Sequence, residues 1–177
     1  MKKFFTLVLM LATVLSCRAQ KVDNSTVPSL DVQKYLGRWY EIARFNHSFE
    51  RDVQYATAMY TMKPDGTVRV VNNGIREGKD KTSIGKAKLT ATPGLLRVSF
   101  FGPFYSDYRV MMIDSDYRYA LVGSKSSKYL WILSRTPQVP VEDMRGIINE
   151  AIRRGYDTSG LIWVEQPGSQ YFKSAQP

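Results

Sequence analysis

One histidine, His47, and one cysteine, Cys17, are all that this 177-residue chain offers for imidazole and thiol chemistry. A Ser/His/Asp triad or a multi-histidine metal site cannot be assembled around a lone histidine in a predicted loop. No P-loop and no dinucleotide glycine fingerprint occurs, and Gly94, Gly102 and Gly168 stand in turn contexts. What remains is noncovalent chemistry: large aromatic and apolar side chains that take hydrocarbon out of water, with a few polar tips to orient it. No metal or cofactor is expected, and the chain is not expected to be an enzyme.

Short β-type runs carry those side chains, at 39–45, 55–62, 67–72, 82–90, 95–100, 108–113, 119–122 and 129–134. Turn signals separate them, including Lys63-Pro64-Asp65-Gly66, Asn72-Asn73-Gly74, Thr92-Pro93-Gly94 and Gly102-Pro103. Eight evenly spaced strands joined in sequence predict an all-β fold, an eight-stranded antiparallel up-and-down β-barrel. A barrel of that size fills itself or holds one small ligand. One helix interrupts the pattern. Residues 141–154 follow Pro140, carry Glu142 and Asp143 in the first turn, and repeat Met144, Ile147, Ile148, Ala151 and Ile152 at helical spacing. That helix packs outside the barrel on something apolar.

Two strands do not alternate apolar with polar, so both their faces are buried. With Trp39 inward, Glu41 and Ala43 share its face while Tyr40 and Ile42 lie under the helix. Tyr129, Trp131 and Leu133 likewise face inward, with Leu130 and Ile132 beneath Ile147 and Ile148. Alternation gives a lining of Ala56, Ala58 and Tyr60, then Val68, Val70 and Asn72, then Val98 and Phe100, and last Tyr108, Val110 and Met112. A slip of one residue would invert any of these faces. An inward carboxylate must be paired, hydrated or protonated, so Glu41 is expected to meet a buried arginine or tyrosine. The run 161–164 is expected to return beside the first strand.

The N-terminus reads as a targeting segment: Lys2 and Lys3 precede an apolar run from Phe4 to Leu15 that is short for a spanning helix. The expected organisation is a signal peptide at 1–16, an N-terminus and linker at 17–29, the barrel at 30–168 and a tail at 169–177. Cys17 is read as a lipidated mature N-terminus. Two other readings compete: Cys17 as the last residue of a discarded signal, or cleavage after Arg18-Ala19. The formal charge is +9, and removal of 1–16 leaves +7. This excess favours anionic surfaces. Nucleic acid is not an expected partner, since the basic residues are dispersed and form no arginine-rich run.

Gly37-Arg38-Trp39-Tyr40-Glu41-Ile42-Ala43-Arg44, paired with Leu130-Trp131-Ile132-Leu133-Ser134-Arg135-Thr136-Pro137, resembles the signature of the lipocalin family. Asp114-Ser115-Asp116-Tyr117 is similar to the family's Thr-Asp-Tyr turn, with Ser in place of Thr. Phe101-Gly102-Pro103-Phe104-Tyr105 and Trp163-Val164-Glu165-Gln166-Pro167-Gly168 are similar to its bacterial branch, and the likeness spans about 35–168. The resemblance implies that Gly37, Trp39 and Arg135 plug the closed end. It also implies a hydrophobic ligand inside the barrel, a fatty acid or lysophospholipid, against Ala56, Ala58, Tyr60, Val70, Val98, Phe100, Tyr108, Val110, Met112, Tyr129 and Trp131. The open mouth would carry Phe49, Arg76, Lys79, Phe104 and Lys125. Those cations suit an anionic headgroup, or they form a solvated rim offset by nearby acids. Cys17 lipidation would hold the protein at the bacterial outer membrane; a soluble periplasmic or secreted form is the alternative. A lipid-modifying enzyme or periplasmic assembly factor on the same scaffold is the other reading, and pairing into a homodimer is left open.

Overall fold

The computed structural model describes residues 22–168. The expected signal segment, Cys17 and the tail 169–177 lie outside the described residues. Eight strands follow one another: β1 (Gly37–Phe45), β2 (Gln54–Met62), β3 (Val68–Arg76), β4 (Lys79–Leu89), β5 (Leu95–Phe101), β6 (Phe104–Ile113), β7 (Tyr119–Gly123) and β8 (Leu130–Ser134). Each pairs antiparallel with the next, and β1 pairs with both β2 and β8, so the sheet closes into a barrel. Beyond Tyr40, where β2 diverges, the short strand β9 (Leu161–Trp163) pairs with Ala43 to Phe45. This is the expected return.

Helix α1 (Val32–Tyr35) closes the end from which β1 starts, and its N-cap Asp31 accepts from the Gln33 and Lys34 amides. Helix α2 (Val141–Arg153) lies outside, with Met144, Ile147 and Ala151 buried. Ile152, expected on the buried face, is 53% exposed. At about 100° per residue it falls some 80° round the helix from Met144, past the edge of the apolar stripe. Two apolar clusters result, one inside the barrel around Trp39, Tyr60, Val110 and Leu133, the other between barrel and helix around Ile42, Leu121, Ile132 and Ile147.

Three bulges correct the face assignments, because an extra residue in a strand flips the alternation beyond it. In β1 the register shifts between Glu41 and Ala43. Ala43, expected inside, joins the helix-side cluster, and Arg44 takes the inward position opposite Trp131. In β6 the shift between Val110 and Met112 puts Met112 with the helix-side cluster, and Ile113 returns to the interior. In β2 the shift between Gln54 and Thr57, with Tyr55 at φ 54°, sends Ala56 to a satellite cluster with Val53 and Val164. Met112 and Ala56 therefore do not line the interior.

Candidate functional site

The closed end is a plug built from one indole and one guanidinium. Trp39 is fully buried and donates its Nε1 to the Tyr35 carbonyl at 2.9 Å. Arg135 Cζ stands 3.8 Å from the centroid of the Trp39 ring. Its nitrogens donate to the carbonyls of Arg38 at 2.7 Å, Lys34 at 2.6 Å, and Tyr35 and Tyr117 at 3.2 Å each. A helix end, the start of β1 and the turn from β6 to β7 are thus stitched by one side chain. Gly37 starts β1 beneath it at φ 93°, a backbone conformation that any side chain would strain.

Above the plug lies a packed floor in which Tyr60, Val70, Val110 and Leu133 are all buried. Tyr60 Oη donates to Tyr108 Oη at 2.9 Å, and Tyr35 and Tyr108 share a 2.6 Å hydrogen bond. Burial raises all three phenols above the ordinary tyrosine range, so they stay neutral. Higher still, inward side chains from five strands keep part of their surface open to solvent: Ala58, Asn72, Val98, Phe100, Tyr108 and Trp131. These form the wall above the floor. Asn72 Oδ1 is buried there without a hydrogen bond among the described residues.

The loop from β1 to β2 folds over the mouth as a lid, with a single 3-10 turn at Ser48–Glu50. His47 stacks on Phe49 with centroids 4.0 Å apart and lies 5.2 Å from Trp131, which in turn stacks on Tyr129. Trp131 Nε1 donates to Glu50 Oε2 at 3.0 Å. From inside, Arg44 donates to Glu41 Oε1 at 2.6 Å, to the Glu50 carbonyl at 2.6 Å and to the Val53 carbonyl at 2.9 Å. Gly74 makes room for the lid's last turn, because a Cβ there would collide with the Val53 side chain. Of the other expected mouth residues, Arg76 donates to the Phe49 carbonyl at 3.1 Å, while Lys79, Phe104 and Lys125 are exposed.

A family model described as a lipocalin-like domain matches residues 30–166. The chain belongs to the lipocalin family. Outer membrane lipoprotein Blc of Escherichia coli K12 is 47% identical over 149 residues, covering 82% of this chain and 84% of the relative. The protein of the same name from Vibrio cholerae is 43% identical over 169 residues, covering 89% and 96%. Among solved structures, insecticyanin from the tobacco hornworm superposes with a TM-score of 0.67 at 19% identity, covering 83% of this chain and 85% of that one. That likeness speaks to the fold alone.

In this lipocalin, the expected lining residues Ala58, Val98, Phe100, Tyr108 and Trp131 form the wall, while Tyr60, Val70 and Val110 form the floor. Tyr129 stands just before β8 in the mouth stack. The polar cluster of Arg44, His47 and Glu50 was not expected. Strict alternation places Arg44 outside, and nothing in the residue order tells that the loop after β1 folds inward. Only the prediction that Glu41 must find a buried partner pointed that way.

Burial, with the Glu50 charge adding to it, pushes Glu41 up to about 8 despite Arg44. Burial raises Glu50 too, and burial with the Arg44 charge lowers His47 to about 4. His47 is thus neutral near pH 7, and the two carboxylates facing one guanidinium hold a proton between them. A group raised from 4.5 to about 8 binds more protons folded than unfolded, so its stabilisation fades as pH rises through that window. A histidine lowered from 6.5 to about 4 does the reverse, with its stabilisation complete above 6.5. The two oppose each other at acid pH, and above 6.5 the histidine has titrated fully while Glu41 still acts. Urea unfolding should therefore show stability falling by up to about 2 kcal/mol between pH 6.5 and 8. Glu41→Gln should flatten that slope; an unchanged slope would assign it to another group.

Proposed function

We propose that this lipocalin binds and carries a lipid with a single acyl chain, a fatty acid or lysophospholipid, at the bacterial outer membrane and without covalent chemistry. The observation that carries this reading is the partly solvent-open inner wall between a packed, plugged floor and an aromatic lid. Each ligand methylene buried against Val98, Phe100, Tyr108 and Trp131 contributes about 0.8 kcal/mol, so an acyl chain gains affinity by area. Asn72 Oδ1 offers an acceptor to a ligand hydroxyl. The relatives' name, outer membrane lipoprotein, supports the location, and Cys17 is the residue that would carry the anchor.

Titration with a saturated fatty acid should change tryptophan emission in the parent and markedly less in Trp131→Phe, since Trp39 lies sealed in the plug. An identical response in both would remove Trp131 from the site. Incubation with lysophospholipid, followed by solvent extraction, should return the lipid intact and in about stoichiometric amount. Cleaved or acylated products would instead favour an enzyme.

A further inference from the structure

The open end carries an apolar projection that neither the plug, the wall nor the lid uses. Strands β5 and β6 meet in a two-residue Gly102-Pro103 turn, with Gly102 at φ 54° and Phe101 directly opposite Phe104. The two rings at this tip are 81% and 79% exposed, and Ile84 on neighbouring β4 is 57% exposed. Across the mouth, Phe49 on the lid is 58% exposed. Lone exposed apolar residues need no explanation, but a paired aromatic tip at the rim of a water-borne barrel does. Around it stand Arg51, Arg76, Lys79, Lys81, Lys125 and Lys128, of which Asp52, Glu77 and Asp80 offset only half.

The course of the N-terminal segment fixes which way this end points. Asn24 Nδ2 donates to the carbonyls of Ser124 and Lys125 in the β7 to β8 loop at the mouth, Val27 donates its amide to Val110, and Asp31 donates its own to Tyr117 Oη at the closed end. Read backwards, the chain climbs the outer wall and reaches Val22 beside Phe45, Ser127 and Lys128, at the open end. Only four residues lie between Val22 and Cys17, five Cα-to-Cα steps with a reach of about 17 Å when extended. A chain held at Cys17 by lipid has its mouth, and not its plug, against the membrane.

Building on the carrier reading, we infer that the open end docks on an anionic phospholipid surface, the Phe101/Phe104 tip entering the headgroup layer and the rim cations pairing with phosphates. The rings gain by leaving water, and each surface cation contributes attraction that salt weakens. The acyl chain then passes between bilayer and barrel without crossing bulk water.

The test uses the full chain with Cys17→Ser, so that no anchor does the binding, and vesicles of phosphatidylethanolamine and phosphatidylglycerol with brominated acyl chains. Phe104→Trp should shift its emission to the blue and be quenched by bromine, whereas Leu89→Trp, at the closed end, should match the parent. Phe101→Ser/Phe104→Ser should lower vesicle co-sedimentation at least tenfold. Neutralising Arg76, Lys79 and Lys125 together should weaken binding to these vesicles more than to phosphatidylcholine vesicles. An unquenched Phe104→Trp, or equal quenching of both tryptophan variants, overturns the inference. So does a blue shift that grows with protein concentration in the absence of vesicles, which would make the tip a contact between two copies. Fatty-acid binding by the parent in buffer, measured alongside, separates failure of docking from failure of carriage.

Discussion

Trp39→Ala should destabilise the barrel by about 3 to 5 kcal/mol, a larger loss than any other single substitution in the interior. The indole is fully buried, and its removal opens a cavity where α1, β1 and Arg135 meet. The ring packed beside it, Tyr35, is held back from collapsing into it by bonds through its hydroxyl to Tyr108 and its carbonyl to Arg135. Arg135→Ala is expected to cost less, about 2 to 4 kcal/mol, by removing the guanidinium donor from the carbonyls of Lys34, Arg38 and Tyr117, while the Tyr35 carbonyl keeps the Trp39 indole. The double variant should fall short of the sum by about 0.5 to 2 kcal/mol, the share held jointly by cation and ring. Urea denaturation of the four proteins measures this coupling. A value indistinguishable from zero would mean that indole and guanidinium stabilise the closed end independently.

That plug was legible in the residue order because it is made of local punctuation. Gly37 and Trp39 open the first strand and Arg135 ends the last, so their meeting follows as soon as the barrel closes. The strands were legible for a similar reason: Gly66, Gly94 and Gly102 all adopt positive φ in the turns that breaker residues marked. The helix-side core was readable as well, since Leu130 and Ile132 pack with Ile147 in a regular pattern.

What alternation could not reveal begins at the bulges. A strand read as strictly two-residue periodic keeps its phase indefinitely, whereas β1, β2 and β6 each lose phase once. Every strand-face assignment that failed, at Ala43, Ala56 and Met112, lies within or next to such a shift. The extra residue has a consequence in β1: it turns a charged side chain, Arg44, into the interior, where an unbroken strand would have delivered alanine. The polar cluster under the lid thus owes its existence to a backbone irregularity with no compositional signature.

The consequence for the mouth is open to direct measurement through Arg44→Met. Arg44 is 1% exposed and holds the lid by two carbonyls, those of Glu50 and Val53. Hydrogen bonds from a charged donor contribute about 1.5 to 3 kcal/mol each, and about 1.4 kcal/mol corresponds to a factor of ten. Opening of the 46–53 loop should therefore become at least tenfold more frequent, read as faster amide exchange in that loop and faster release of bound fatty acid. The single variant also loses global stability, by about 1 to 3 kcal/mol, because the buried Glu41 carboxyl is left without its hydrogen-bond donor. Glu41→Leu/Arg44→Met separates the two effects: removing both members of the pair should restore most of the global loss while the lid carbonyls still lack a donor. Fast exchange in the loop of a stable double variant would establish that the guanidinium latches the lid. Parental exchange there would instead assign the latch to the stack of His47, Phe49, Tyr129 and Trp131, a contact that a ligand's own chain could displace on entering.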